Sequence, residues 1–200
     1  MKPQEINFRK IVAKLLFVST LMILFSCQGQ KNKSDMQSEI TPVEQTKAPT
    51  LDINAATFMG DLEAIDQHIK AGSDLNKKDQ YGSTPLTIAA TFNKTEIAIA
   101  LINAGADLNM QSADGSTPLH TSAFFCRVEI VEALLEKGAD KTLKNNYGST
   151  PLESVSAPFN EVKNFYDQIS KDLGPLGFKL DYKYLETTRP LIAEMLQAQA

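Results

Sequence analysis

The chain has 200 residues, with 20 Lys and Arg against 24 Asp and Glu, a net charge of −4 and 42% hydrophobic residues. That is room for one packed domain plus appendages. An acidic chain without basic runs is no nucleic-acid binder, and two cysteines are too few for a disulfide framework.

The N-terminus reads as a targeting segment. Lys2, Arg9, Lys10 and Lys14 precede an apolar run of eleven residues, Leu15 to Phe25. The run is too short to cross a bilayer as a helix but has the length of a signal-peptide core. It ends in Leu24-Phe25-Ser26-Cys27, which resembles a bacterial lipobox, with Phe25 in place of the usual small residue. The resemblance implies that Cys27 is lipidated, becomes the new N-terminus and anchors the protein. Gln28, rather than Asp, after that cysteine implies the outer membrane, with the domain facing the periplasm. The other reading is an ordinary secretory signal with an incidental cysteine.

Residues 28–50 lack hydrophobic periodicity and are rich in Gln, Lys, Ser, Thr and Pro, the composition of a disordered tether. Its root-mean-square reach is roughly 25 Å. Without residues 1–27 the chain keeps 16 basic and 23 acidic residues, a net charge of −7, and Cys126 as its remaining thiol. No intramolecular disulfide can then form.

From residue 51 the chain repeats itself. Tyr81-Gly-Ser-Thr-Pro-Leu86 recurs as Asp114-Gly-Ser-Thr-Pro-Leu119 and Tyr147-Gly-Ser-Thr-Pro-Leu152, so Gly82, Gly115 and Gly148 stand 33 residues apart. Gly72, Gly105 and Gly138 form a second series at the same period. The first series falls where a hairpin needs positive φ. Thr84, Thr117 and Thr150 then cap helices that open with Pro85, Pro118 and Pro151. A second helix in each unit is read from Ile97, Leu101 and Ile102, then from Val128, Ile130, Val131, Leu134 and Leu135, with Gly105 and Gly138 terminating it.

A 33-residue unit carrying Gly-x-Thr-Pro-Leu resembles the ankyrin repeat. The resemblance implies an all-α repeat solenoid of helix-turn-helix units joined by hairpin loops, ending in a divergent helical C-terminal cap. Four units are expected, at about 51–80, 81–113, 114–146 and 147–200. The first lacks Thr-Pro-Leu but keeps Gly60, Leu62, Ile65, Ile69 and Gly72. In the last, Arg189-Pro-Leu-Ile-Ala-Glu-Met-Leu196 resembles a second helix with Pro190 near its start, which makes about 157–186 an insertion between the two helices. A regular fourth repeat followed by an extra helix is the alternative.

Catalytic, cofactor and metal sites are expected to be absent. His120 completes Thr-Pro-Leu-His, a position that in the resembled family bonds within the turn, and His68 reads as a packing residue in the first unit. No metal-ligand spacing, phosphate loop or nucleophile motif is present. Cys126 occupies an inter-helix turn where the family carries Gly, and a redox role for it is the one enzymatic alternative.

The resemblance implies a protein partner, met at the hairpin tips and the outward face of each first helix. By phase, Tyr81, Asp114 and Tyr147 stand at the tips. Phe58-Met59, Thr91-Phe92 and Phe124-Phe125 precede the inter-helix turns and form an apolar ladder. The ladder is either a binding surface, with Phe92, Phe124 and Phe125 as anchors, or packing beneath the C-terminal insertion. The function expected is that of a monomeric, lipid-anchored protein whose repeats bind, stabilise or inhibit another envelope protein. A toxin-neutralising immunity protein is the variant reading.

Overall fold

A computed structural model describes residues 47–198. The expected signal peptide, Cys27 and most of the expected tether lie outside the described residues. Nine α-helices and no strands occur among the described residues. They form two rows. The first helices of the units, α1 (Ile53–Met59), α3 (Pro85–Thr91), α5 (Pro118–Phe124) and α7 (Pro151–Ser156), pack side by side. The second helices, α2 (Leu62–Lys70), α4 (Thr95–Asn103) and α6 (Val128–Glu136), stack behind them.

Each first helix starts where the sequence places a cap. Thr84 accepts from the Thr87 amide. Thr117 and His120 cap each other's backbone, as do Thr150 and Glu153. In the first unit, which lacks Thr-Pro-Leu, Asp52 and Asp61 cap the two helices through their carboxylates. Between the rows lies one continuous core, including Ile65, Leu86, Leu101, Leu119, Ile130 and Leu134. The alanines of α3 and the Ser122-Ala123 pair of α5 are fully buried or nearly so, and their small size lets neighbouring units approach closely.

Polar bonds fix the stacking register. The Asp107 amide donates to Asn76 Oδ1 and the Asp140 amide to Asn109 Oδ1, both at 2.8 Å. Gln111 Nε2 donates to the Lys144 carbonyl and Lys78 Nζ to that of Gln111. His120 Nε2 spans from the third unit to the Ser149 carbonyl of the fourth at 2.9 Å.

The fourth unit departs from the others. After α7 the Ala157-Pro158 junction is extended. A 15-residue helix, α8 (Phe159–Leu173), and a 3-10 turn (Gly174–Leu176) follow. The last helix, α9 (Tyr182–Ala198), pairs with α7 and stacks on α6, so it supplies the missing second helix. α9 begins at Tyr182, and Pro190 lies inside it rather than near its start. The Asp181 carboxylate caps the helix by accepting from the Tyr184 amide at 3.0 Å. Pro190 itself is exposed. The inserted segment is thus residues 157–181.

Candidate functional site

The hairpins at the tips are built by their own side chains. In each, an amide-to-carbonyl pair closes the loop: Asp79 to Ser83, Ser112 to Ser116 and Asn145 to Ser149. Asp79 and Asn145 use one side-chain oxygen to accept two further amides of their loops. This leaves the rings of Tyr81 and Tyr147 in water, 69% and 78% exposed. Asp114 differs from its two phase-mates. Its carboxylate accepts from the Ser112 hydroxyl at 2.6 Å and from the Ser116 amide and hydroxyl. Partial burial raises its pKa, but those bonds outweigh burial and hold it below the usual range. Asp114 stiffens its loop between two open tyrosines.

The aromatic ladder is graded in exposure. Phe58 and Met59 of the first unit are exposed, Phe92 is half-buried, and Phe125 is 6% exposed. Phe178, from the inserted segment and 5% exposed, lies edge-on to both Phe92 and Phe125, with centroids 5.9 and 5.3 Å away. Tyr166 of α8 stacks on Phe124 at 4.5 Å and donates to the Phe124 carbonyl at 2.6 Å. The expected anchors Phe92, Phe124 and Phe125 are therefore not an open surface. The chain's own Phe178 and Tyr166 pack against them.

Behind the ladder lies a group of polar residues that the repeat pattern does not announce. Arg189 on α9 is 3% exposed and donates to the Tyr166 hydroxyl at 2.7 Å and the Ala157 carbonyl at 2.9 Å. Its Nε has no hydrogen-bond partner. Arg127 reaches back to the Ala90 and Thr91 carbonyls at the end of α3, and burial lowers its pKa. Burial pushes the Tyr166 phenol up to about 12.

Cys126 is buried in this group with φ of 53°, the left-handed conformation that Gly60 and Asn93 adopt in the preceding units. Its Sγ faces the Leu185 carbonyl. Burial pushes the thiol up to about 11, against the pull of Arg189 and Arg127. A covered thiol held above its ordinary pKa carries little of the thiolate that acts as nucleophile or metal ligand, which does not favour the redox alternative.

The two histidines are also occupied. His68 bonds the Leu51 carbonyl and the Ser73 hydroxyl. The His120 Nδ1 accepts from the Thr117 amide, so its Nε2 carries the proton donated to Ser149. Among the described residues no three His, Cys, Asp or Glu gather as a metal site, and no helix is long and apolar enough to cross a membrane.

Tyr166, Phe178 and Arg189 are the residues that sequence reasoning did not single out for roles at this site. The detectable signal was the aromatic and apolar spacing of Phe159, Val162, Tyr166 and Ile169, one stripe of an amphipathic helix.

With the geometry in place, comparison with known proteins fits the same architecture. The family described as "Ankyrin repeats (3 copies)" matches residues 53–153, which is 101 of the 200 residues. A relative is the potassium channel SKOR of Arabidopsis thaliana, 39% identical over 70 residues. The shared segment is 35% of this chain and 8% of the channel, so the likeness concerns a small part of that protein. Ankyrin repeats generally mediate protein–protein interaction. The repeat period, the capped first helices and the two stacked rows have one common description: the chain belongs to the ankyrin-repeat family.

Proposed function

We propose that this chain is a protein-binding module held at a bacterial cell envelope by lipid on Cys27. Its partner, another envelope protein, meets the hairpin edge. The observation that carries the binding reading is the pair of open tyrosines, Tyr81 and Tyr147, on loops braced by hydrogen bonds from their own side chains. A preorganised edge of this kind loses little conformational freedom on binding. Tyrosine supplies both an apolar ring and a hydroxyl, as interface anchors do. An interface of about 800 Å² on each side is the standard size for such a complex. Asp114 keeps the central loop rigid and contributes charge selectivity.

The anchor reading rests on the N-terminal sequence: the basic start, the short apolar run and Leu-Phe-Ser-Cys27. Replacing Cys27→Ser tests it directly. Release of the protein from the membrane fraction is the expected outcome, and unchanged membrane retention overturns the lipid anchor.

Binding is tested by affinity capture from detergent-solubilised envelopes, comparing the wild-type chain with a Tyr81→Ser/Tyr147→Ser variant. A protein held by the first and lost by the second, with equal helix content in both baits, is the expected result. Equal retention on both baits moves the partner away from the hairpin edge.

A further inference from the structure

The cover over the ladder is attached differently from every other helix in the domain. Of the fifteen residues of α8, Tyr166 is the one buried side chain. Phe159, Val162, Ile169 and Leu173 are half-covered, and Phe165 stands 65% exposed. By contrast the seven-residue α5 buries five residues. Like α4 and α6, α8 starts without a side-chain cap, and in its first turn the Glu161 amide bonds the Pro158 carbonyl at 3.0 Å. On one side the segment joins the repeats through the extended Ala157-Pro158 junction. On the other it passes through Gly174 and Gly177, the latter left-handed with φ of 85°.

Closing the cover also buries a charge. Arg189 is shut in beneath Tyr166 with one N–H unpartnered, and its partners are a phenol and a carbonyl rather than a carboxylate. Desolvating a guanidinium without a counter-charge opposes closure. The Tyr166 stack on Phe124 and the insertion of Phe178 between Phe92 and Phe125 favour it. α7 and α9 pair with each other directly, so the fourth unit does not need α8 to hold its own two helices together.

We propose that residues 157–181 are a hinged cover that occupies the aromatic ladder from within and opens as a unit while all four repeats stay folded. The occupant of the ladder is this segment itself, which places two aromatic rings there, one wedged and one stacked. Opening uncovers Phe92, Phe124 and Phe125 as a second apolar face, distinct from the hairpin edge and independent of whether that edge is occupied. The ladder is then a regulated surface rather than either a permanent one or permanent core.

Hydrogen exchange read by mass spectrometry on the full chain in detergent tests this, because local opening separates the exchange of one segment from that of the rest. Amides of 159–173 are expected to exchange about 100-fold faster than those of α5 and α6. Phe178→Ser removes the wedge and is expected to speed α8 by about another tenfold while leaving α5 and α6 within about twofold of wild type. Tyr166→Phe keeps the ring and removes the hydroxyl between the Phe124 carbonyl and Arg189, and it is expected to speed α8 alone in the same way. Protection of α8 equal to that of α5 and α6 overturns the proposal. So does a Phe178→Ser variant in which α8, α5 and α6 lose protection together, since the segment is then part of one cooperative fold.

Discussion

The stacked hairpins make a graded prediction for one substitution placed at three equivalent glycines. Gly82, Gly115 and Gly148 have nearly the same backbone, with φ of 74°, 78° and 78°, so alanine meets the same intrinsic strain at each. That strain is about 1–2 kcal/mol for a left-handed L-residue, reduced by roughly 0.5 kcal/mol through the stiffer unfolded chain. What differs is the next unit. A Cβ on Gly148 meets nothing within 4 Å, because no further hairpin follows. On Gly82 it comes to 3.1 Å from the Ala113 amide nitrogen. On Gly115 it lies 2.5 Å from Asn146 Oδ1 and 2.7 Å from the Asn146 amide nitrogen. Relief requires moving Asn146, which donates from its amide to Asp114 and from its side chain to Ala113. Two such bonds contribute about 1 kcal/mol each. Gly148→Ala should therefore cost about 1 kcal/mol and Gly115→Ala about 3 kcal/mol, with Gly82→Ala between. For a unit of this size that is a Tm loss of about 3 °C against about 9 °C. Thermal and urea melts followed by circular dichroism at 222 nm give the comparison. Equal losses at Gly115 and Gly148 would refute the reasoning, because backbone strain alone would then account for both.

His120 is held neutral, with burial lowering its pKa from 6.5. Below pH 6.5 the unfolded chain binds the proton more readily, so His120's contribution is complete above that pH and lost as the pH falls through the window beneath it. The urea midpoint of the wild type should drop between pH 7.5 and 5.5 more than that of His120→Gln, and parallel drops would exclude the histidine as the cause. Cys126, with its thiol near 11, should react with Ellman's reagent at pH 8 at least about 100-fold more slowly in the native than in the urea-unfolded chain; comparable rates would mean that the thiol is open. Arg127→Met removes two hydrogen bonds to the end of α3 while keeping the apolar stem. It should cost about 1–3 kcal/mol in a urea titration, and no loss would mean that water replaces the guanidinium freely.

The repeats were legible because their signal is local and periodic: Thr-Pro-Leu caps a helix wherever it stands, and the glycine series marks the turns. The C-terminal unit was only partly legible. Pro190 carries the usual mark of a helix start, yet it lies inside α9 on an exposed position, while the cap that starts the helix is the less conspicuous Asp181. The ladder was visible as residues but not as a surface. Phe92, Phe124 and Phe125 read the same whether open or covered, and the residue that decides between those states, Phe178, lies 53 positions beyond Phe125 with no periodic relation to it. Cys126 was placed in an inter-helix turn, and its neighbours in phase, Gly60 and Asn93, are exposed in the structure. It is buried because α9 crosses above it.

The placement of the insertion follows from how each first helix ends. The C-terminal carbonyls of a helix need partners and favour positive charge. Lys94 of the second unit lies against Gly60 at the end of α1, and Arg127 of the third bonds the end of α3. By that pattern a cation one period after Arg127 should serve the end of α5. That position is Asn160, carried away in the first turn of α8. The Tyr166 hydroxyl takes over, bonding the Phe124 carbonyl, and Arg189 serves the end of α7 at Ala157. The insertion thus enters at the inter-helix turn, where added length leaves both rows of helices stacked, and it restores through Tyr166 the cap that its own presence displaced. This explains why a single hydroxyl joins α5, α8 and α9.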